Sequence, residues 1–370
     1  MMTAPRRRSY QLTLIFLCSA LFGLWRLRRW DSERTVISIP LDSTHQQEVA
    51  TAPHADVEPY LPCWSLPGAD ETLIVLRTGA TELKDRFPVH LSTTLRCYPH
   101  YMLFSDHEEV FKGEQVNDAL ATVNQEILTQ HPDFELHRRL KEAGREVLLA
   151  NELSGSESEA IQWTGKAGNP GWKLDKWKFL PMVNQTLHEY PYMKWYVFVE
   201  ADTYILWASL LEYLKVLDHT KPVYTGSQMY IGDVVFAHGG SGFIVSQPAM
   251  RMVVDHYTSH KSELESFTDG HWAGDCVLGK AFRDAGVKFV DAWPTMQGDY
   301  PGTVAYAKPD GRPIADPTKR VWCYPTVSYH HLSPDVVEDL WHFEQDWIAE
   351  NRSVSCKEHV ACANRTDTPG

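Results

Sequence analysis

The chain has 370 residues, 43% of them hydrophobic and 22% charged, with a formal net charge of −13. That balance suits a globular protein with room for one large domain or two modest ones, and it excludes a fibrous or wholly disordered chain. Setting aside the six arginines of residues 1–30 leaves 29 of the 35 basic residues against all 48 acidic ones, a net of −19. A body that acidic is a poor partner for nucleic acid or an anionic membrane surface, so any phosphate it holds must be met by a few placed cations or a metal.

The first thirty residues differ from the rest. Arg6, Arg7 and Arg8 precede an uncharged run from Ser9 to Trp25, and Arg26, Arg28 and Arg29 follow it. The run is at the short end of the ~17–25 residues that span a membrane, as suits the thinner membranes of the early secretory pathway. No small-residue cleavage site follows, which favours a signal anchor over its rival, a cleaved signal peptide. Asp31 and Glu33 dilute the second arginine cluster, so the positive-inside rule favours a cytosolic N-terminus. The reading is a type II protein of the Golgi or ER–Golgi membranes. It has a cytosolic tail (1–8), a transmembrane helix (9–27), a polar stem (28–62), a lumenal domain (63–351) and a C-terminal tail (352–370).

Cys18 lies in the anchor run. Cys63, Cys97, Cys276, Cys323, Cys356 and Cys362 form an even set of six, which an oxidising lumen permits to close as three disulfides in any of 15 connectivities. Their spacing is wide and no C-x-x-C occurs, which argues against zinc; Cys356 and Cys362 are the easiest pair to propose. Sequons at Asn184, Asn351 and Asn364 agree with lumenal exposure.

Within the domain, the apolar run 73–76 reads as a strand closed by Arg77-Thr78-Gly79. A helix over 82–95 is interrupted near Pro88, and a second strand at 101–104 ends on Ser105-Asp106. Helical spacing predicts helices over 116–128 and 174–188, the latter kinked at Pro181. A buried strand at 195–199 and a helix over 206–217 follow. This β-α-β-α order predicts a parallel, doubly wound sheet. Residues 223–246 are rich in β-branched, aromatic and glycine residues, the texture of irregular or antiparallel strands. Helices return at 248–257 and 275–285, with strands at 288–291 and 326–329. Ser333 then stands as N-cap and Pro334 at the first position of a helix reaching about 347.

The strand at 195–199 ends abruptly on Glu200 and Asp202. Residues two apart on a strand project the same way, here toward the C-terminal sheet edge where open α/β sheets bind ligands. Two hard oxygen donors there suit Mn²⁺ or Mg²⁺ and, through it, a diphosphate; solvated acids at a turn are the plainer alternative. His330, in Tyr329-His330-His331, offers a nitrogen ligand or is a structural histidine. Asp275 heads a helix, where a carboxylate is a cap or a general base. His238-Gly239-Gly240-Ser241-Gly242-Phe243 fails as a hydrolase elbow because Phe243 replaces the last glycine. Its glycines mark either close approach of a substrate or a tight turn. Lys176 can meet a phosphate or belong to a solvated basic face.

Taken in order, Arg77-Thr-Gly, Leu103-Phe-Ser-Asp, Leu174-Asp-Lys-Trp-Lys-Phe, Glu200-Ala-Asp-Thr-Tyr, His238-Gly-Gly-Ser-Gly-Phe, Gly274-Asp-Cys-Val-Leu-Gly and Ser328-Tyr-His-His resemble the Fringe-type glycosyltransferases of family 31. Within that family the likeness is to fungal relatives of core 1 β1,3-galactosyltransferase. The resemblance implies a GT-A-type α/β fold with a Rossmann-like, mostly parallel sheet and an inverting, UDP-sugar-dependent transfer. It implies Asp202 and His330 as ligands of Mn²⁺ and Asp275 as the base. Arg77, Thr78, Asp106, Lys176 and Glu200 would surround the nucleotide-sugar, while Gly239, Gly240, Ser241 and Gly242 would line the acceptor. Galactose, β1,3-linked to a glycan or glycoprotein, is the favoured product; the oligomeric state stays open, a homodimer included. Two positions depart from the family pattern: Glu200-Ala-Asp202 replaces a run of aspartates, and Gly274-Asp275 replaces an acidic pair. The rivals are a non-catalytic, membrane-anchored lectin and a secreted serine hydrolase built on Ser241.

Overall fold

The computed structural model describes residues 62–153, 169–309 and 320–350. Strand β1 (Thr72–Arg77) leads through short helices α1 (Leu83–Arg86) and α2 (Pro88–Ser92) to β2 (Tyr101–Ser105). A hairpin of β3 (Glu109–Phe111) and β4 (Glu114–Asp118) follows, then α3 (Gln125–Gln130), α4 (Glu135–Ala143) and the long α5 (Pro170–Glu189). Next come β5 (Trp195–Glu200), β6 (Tyr204–Ile205), α6 (Trp207–Leu214), β7 (Tyr224–Gly226), β8 (Gln228–Ile231), β9 (Val234–Ala237) and β10 (Phe243–Ser246). Helices α7 (Gln247–Ser259), α8 (Lys261–Asp269) and α9 (Gly274–Asp284), strands β11 (Phe289–Asp291) and β12 (Ser328–Tyr329), and helix α10 (Pro334–Ala349) complete the order.

Among the described residues the main sheet has eight strands, in the order β11-β7-β10-β5-β1-β2-β4-β3. The β5-β1-β2-β4 centre is parallel, β10 runs antiparallel between β5 and β7, and β3 closes one edge antiparallel to β4. Every residue of β1 is buried, as a parallel strand covered on both faces must be. Side-chain alternation then splits the core in two. Leu73, Val75, Tyr196 and Phe198 pack on one face with residues of α5, α7 and α9. Ile74, Leu76, Val197 and Val199 pack on the other with α6 and Phe87. This mixed α/β fold with a large, mostly parallel sheet fits a GT-A-type arrangement, and the antiparallel insertion falls where the sequence texture changes.

Several expectations are corrected. Residues 116–128 are not one helix: Val116 pairs with Leu103 in β4, and α3 begins only after Asn124, whose side chain accepts from the Glu126 amide. The apolar spacing there combines a strand with a turn closed by Asp118, which accepts from the Leu120 amide at 2.9 Å. Helix α5 is continuous through Pro181, so the loss of one backbone donor does not divide it. Ser333 occupies the N-cap position of α10, but its hydroxyl makes no capping bond. Asn184 lies inside α5 with Thr186 fully buried, which is not the exposed loop that a sequon suggests.

Cys63 and Cys97 form a disulfide, whereas Cys276 and Cys323 are buried free thiols. Among the described residues, therefore, one bridge is closed, and Cys276 and Cys323 do not pair with each other. Cys356, Cys362, Asn351, Asn364 and the expected anchor and tails lie outside the described residues. Among the described residues no helix is long and apolar enough to cross a membrane.

Phe198 is 2% exposed and stacks on Phe243 at 4.7 Å between ring centroids. Phe198→Ala is expected to cost about 3–5 kcal/mol of stability, read as a lowered denaturant midpoint.

Candidate functional site

Strands β1 and β5 end side by side, with Arg77 opposite Glu200. Beyond Glu200 the chain leaves the sheet and turns through Ala201 and Asp202. Asp202 is therefore placed by this turn and not by strand alternation. β6 then pairs antiparallel with β12, Tyr204 opposite Tyr329, and the Leu332 amide donates to the Asp202 carbonyl at 3.0 Å. These contacts bring His330 Nε2 to 3.2 Å from Asp202 Oδ1 and 3.7 Å from Glu200 Oε2. With His331, whose backbone φ is +60°, the ligand atoms of Asp202 and His330 form a cluster lying within 4.8 Å of one another.

The electrostatics of this cluster are those of a cation site. Burial opposes a charge on His330, but Asp202 and Glu200 outweigh it and raise its pKa to about 10. Burial works against the Asp202 carboxylate as well, and His330 more than compensates, leaving its pKa lowered. His330 Nδ1 is buried without a hydrogen-bond partner, an uncommon state for a buried polar atom. A carboxylate and two imidazoles, one with an orphaned nitrogen, suit a divalent transition cation such as Mn²⁺ better than Mg²⁺, which prefers oxygen alone. Asp202 and His330 fit that role, and His331 is within reach of it.

Glu200 is committed elsewhere. Its Oε1 pairs with Arg77, whose guanidinium also meets Asp175 at 2.5 Å and lies 4.1 Å from the Phe179 ring centroid. Burial raises the Glu200 pKa, yet Arg77 and then His330 pull it well below the usual carboxylate range. For Arg77, too, the two carboxylates outweigh burial and reinforce its charge.

Thr78 and Asp106 are buried and build the loop after β1. Asp106 Oδ1 accepts from the Ala80 amide at 2.6 Å, and the Thr78 carbonyl accepts from Lys178 Nζ at 3.0 Å. Lys176 is not brought to this cluster; its ammonium sits 3.1 Å from Asp133 and donates to the Asp269 carbonyl. The lysine beside Asp106 is Lys178, 3.5 Å away and buried. It escaped the sequence reading, although its spacing of four from the buried Leu174 places both on the inner face of α5.

The glycine loop joins this cluster to Asp275. Gly239 donates its amide to Asp275 Oδ2 at 3.0 Å, and the Cys276 amide donates to Oδ1 at 2.8 Å. Burial raises the Asp275 pKa to about 6, with those two amides acting in the opposite direction. The Gly240 carbonyl accepts from the Thr203 hydroxyl at 2.7 Å, and a Cβ on Gly240 would overlap the His330 ring. Gly239, Gly240, Ser241 and Gly242 are all buried, and the first two lie against Asp275 and His330. Ser241 is wholly buried, 2.7 Å from His238 Nδ1 in a closed turn. Burial and then the nearby His330 lower the His238 pKa to about 4. A serine without solvent access cannot serve as the nucleophile of a secreted hydrolase.

Residues 180–292 match the family model described as Fringe-like. The match covers the end of α5, β5, Asp202, the glycine loop and α9 with Asp275, and supports a Fringe-like glycosyltransferase domain.

Gly240→Ala tests whether the loop holds the cluster together. Overlap of the added methyl with His330 is expected to weaken Mn²⁺ binding by tenfold or more, about the loss seen when outer-shell support is removed. Titration calorimetry measures it, with far-UV circular dichroism checking that the fold is retained.

Proposed function

We propose that this chain is an inverting glycosyltransferase that moves a hexose from a UDP-sugar to a hydroxyl of a glycan or glycoprotein. One observation carries the reading: an Asp202–His330–His331 cluster, with His330 buried and the other two half-buried, lies at the C-terminal edge of the central sheet, joined through the Gly239–Gly240 backbone to a carboxylate of raised pKa, Asp275. Asp202 and His330 would hold Mn²⁺, which when bound supplies Lewis-acid stabilisation of the departing diphosphate.

The chain's own residues account for the rest. Asp275, with a pKa of about 6, is ionised at neutral pH and still basic enough to take a proton from an attacking hydroxyl. That oxygen bonds to the anomeric carbon as the bond to the diphosphate oxygen breaks on the opposite face, and the proton ends on Asp275. A single displacement needs one base, which is what Gly274-Asp275 retains. The Gly239 amide fixes one Asp275 oxygen, so the base is oriented by the same loop that accommodates His330. Galactose as donor sugar and a β1,3 linkage follow the resemblance to core 1 galactosyltransferases and are proposed on that ground. The arginine-flanked apolar run at 9–25 and the Cys63–Cys97 disulfide support a type II protein with its domain in the oxidising Golgi lumen.

UDP release from a panel of UDP-sugars by the full-length protein, with Mn²⁺ and with EDTA, tests the reading. Metal-dependent turnover of one sugar is expected, and absence of any UDP binding would favour the lectin. Asp275→Asn should retain UDP and Mn²⁺ binding while the transfer rate falls about 10²–10⁴-fold. Because the carboxylate is the active form, the wild-type rate should rise through about pH 6 and level off above it. That limb should be missing from the residual activity of Asp275→Asn, and a fully active variant would remove Asp275 from the base role.

A further inference from the structure

A diphosphate at this cluster needs a cation in addition to a metal, because the body of the protein is acidic and Glu200, Asp202 and Asp275 converge on the site. Most basic side chains nearby are already engaged. Arg77 is clamped between Asp175 and Glu200. Lys178 is buried against Asp106 and the Thr78 carbonyl, and Lys176 is held by Asp133 and Asp269. Arg86 differs. It lies half-buried at the end of α1, and its Nη1 donates to the Leu332 carbonyl at 2.6 Å. Among the described residues no carboxylate comes within ion-pair distance of it.

Its anchor point gives that cation a location. Leu332 directly follows His330 and His331, and its amide holds the Asp202 carbonyl. The guanidinium is thus pinned to the segment that carries the candidate metal ligands. Its charge is felt by Asp202, His331 and Glu82, and its remaining N–H groups make no hydrogen bond among the described residues. A planar fork with spare donors matches the paired oxygens of a phosphate.

We propose that Arg86 is the cation that clamps the donor diphosphate beside the metal cluster, the role that sequence reading gave to Lys176. The assignment rests on the nucleotide-sugar reading of the site. Arg86 would hold the diphosphate in the ground state and offset its growing charge as the glycosidic bond to it breaks.

Dissociation constants of the full-length wild type, Arg86→Lys and Arg86→Gln for UDP and uridine in saturating Mn²⁺, and for Mn²⁺ alone, test the proposal. Glutamine keeps an N–H for the Leu332 carbonyl and removes the charge. Arg86→Gln is expected to weaken UDP about 10- to 100-fold, the worth of a charge-assisted contact, while uridine and Mn²⁺ change by less than about twofold and Arg86→Lys falls between. Unchanged UDP affinity, an equal loss for uridine, or a comparable loss of Mn²⁺ affinity would overturn the clamp. A wild-type protein that binds no UDP in Mn²⁺ would overturn the nucleotide-sugar reading, and the clamp with it.

Discussion

Tyr204 and Ile205 pair with Ser328 and Tyr329 in a ladder of two rungs, and the candidate site depends on that pairing because it sets His330 beside Asp202. So short a ribbon is marginal by itself, and its stability comes from what is packed around it. The Tyr204 hydroxyl donates to Glu344 of α10 at 2.7 Å, and the other Glu344 oxygen accepts from the Ala208 amide at the start of α6. The Tyr329 and Tyr306 hydroxyls meet at 2.5 Å. Burial raises the Glu344 pKa to about 7, which indicates how far water is excluded here. The C-terminal helix is therefore part of the site's framework although it carries none of the candidate ligands.

The second constraint is charge economy. A domain with so many acids cannot leave carboxylates unpartnered in its interior, and Arg77 meets two at once, over the face of Phe179. A buried guanidinium deprived of its partners costs roughly 3–5 kcal/mol, so Asp175, Arg77 and Glu200 stand or fall as a unit. Holding Glu200 in this way leaves Asp202 as the carboxylate nearest His330.

Much of this was legible in the chain. Periodicity and β-branching located β1, β2 and β5, and the Ser333-Pro334 pair located the start of α10. The glycines of the 239–242 segment stood out as places of close approach, which they are, since a Cβ on Gly240 would overlap His330; Gly274 and Gly279, which did not stand out, lie as close to Phe179 and Phe236. What they approach is protein in both cases. Segment 116–128 was misread because the end of a five-residue strand followed by a turn can imitate helical spacing. Lys178 was passed over because a lysine is ordinarily a surface residue, and its burial here is secured by Asp106 and a loop carbonyl contributed by other segments.

By itself, then, the sequence determined that β1, β2 and β5 would be buried strands, that a helix would begin at Pro334, and that an acid would stand at the end of the central strand. Those are properties of neighbouring residues and of their spacing along the chain. Only the tertiary structure decided that Asp202 leaves the strand, that His330 comes to rest against it, that Lys176 points away while Lys178 turns inward, and that Arg86 reaches Leu332. Each of these depends on distances through space between segments far apart in the chain, and such distances exist only once the two core layers have packed against the sheet.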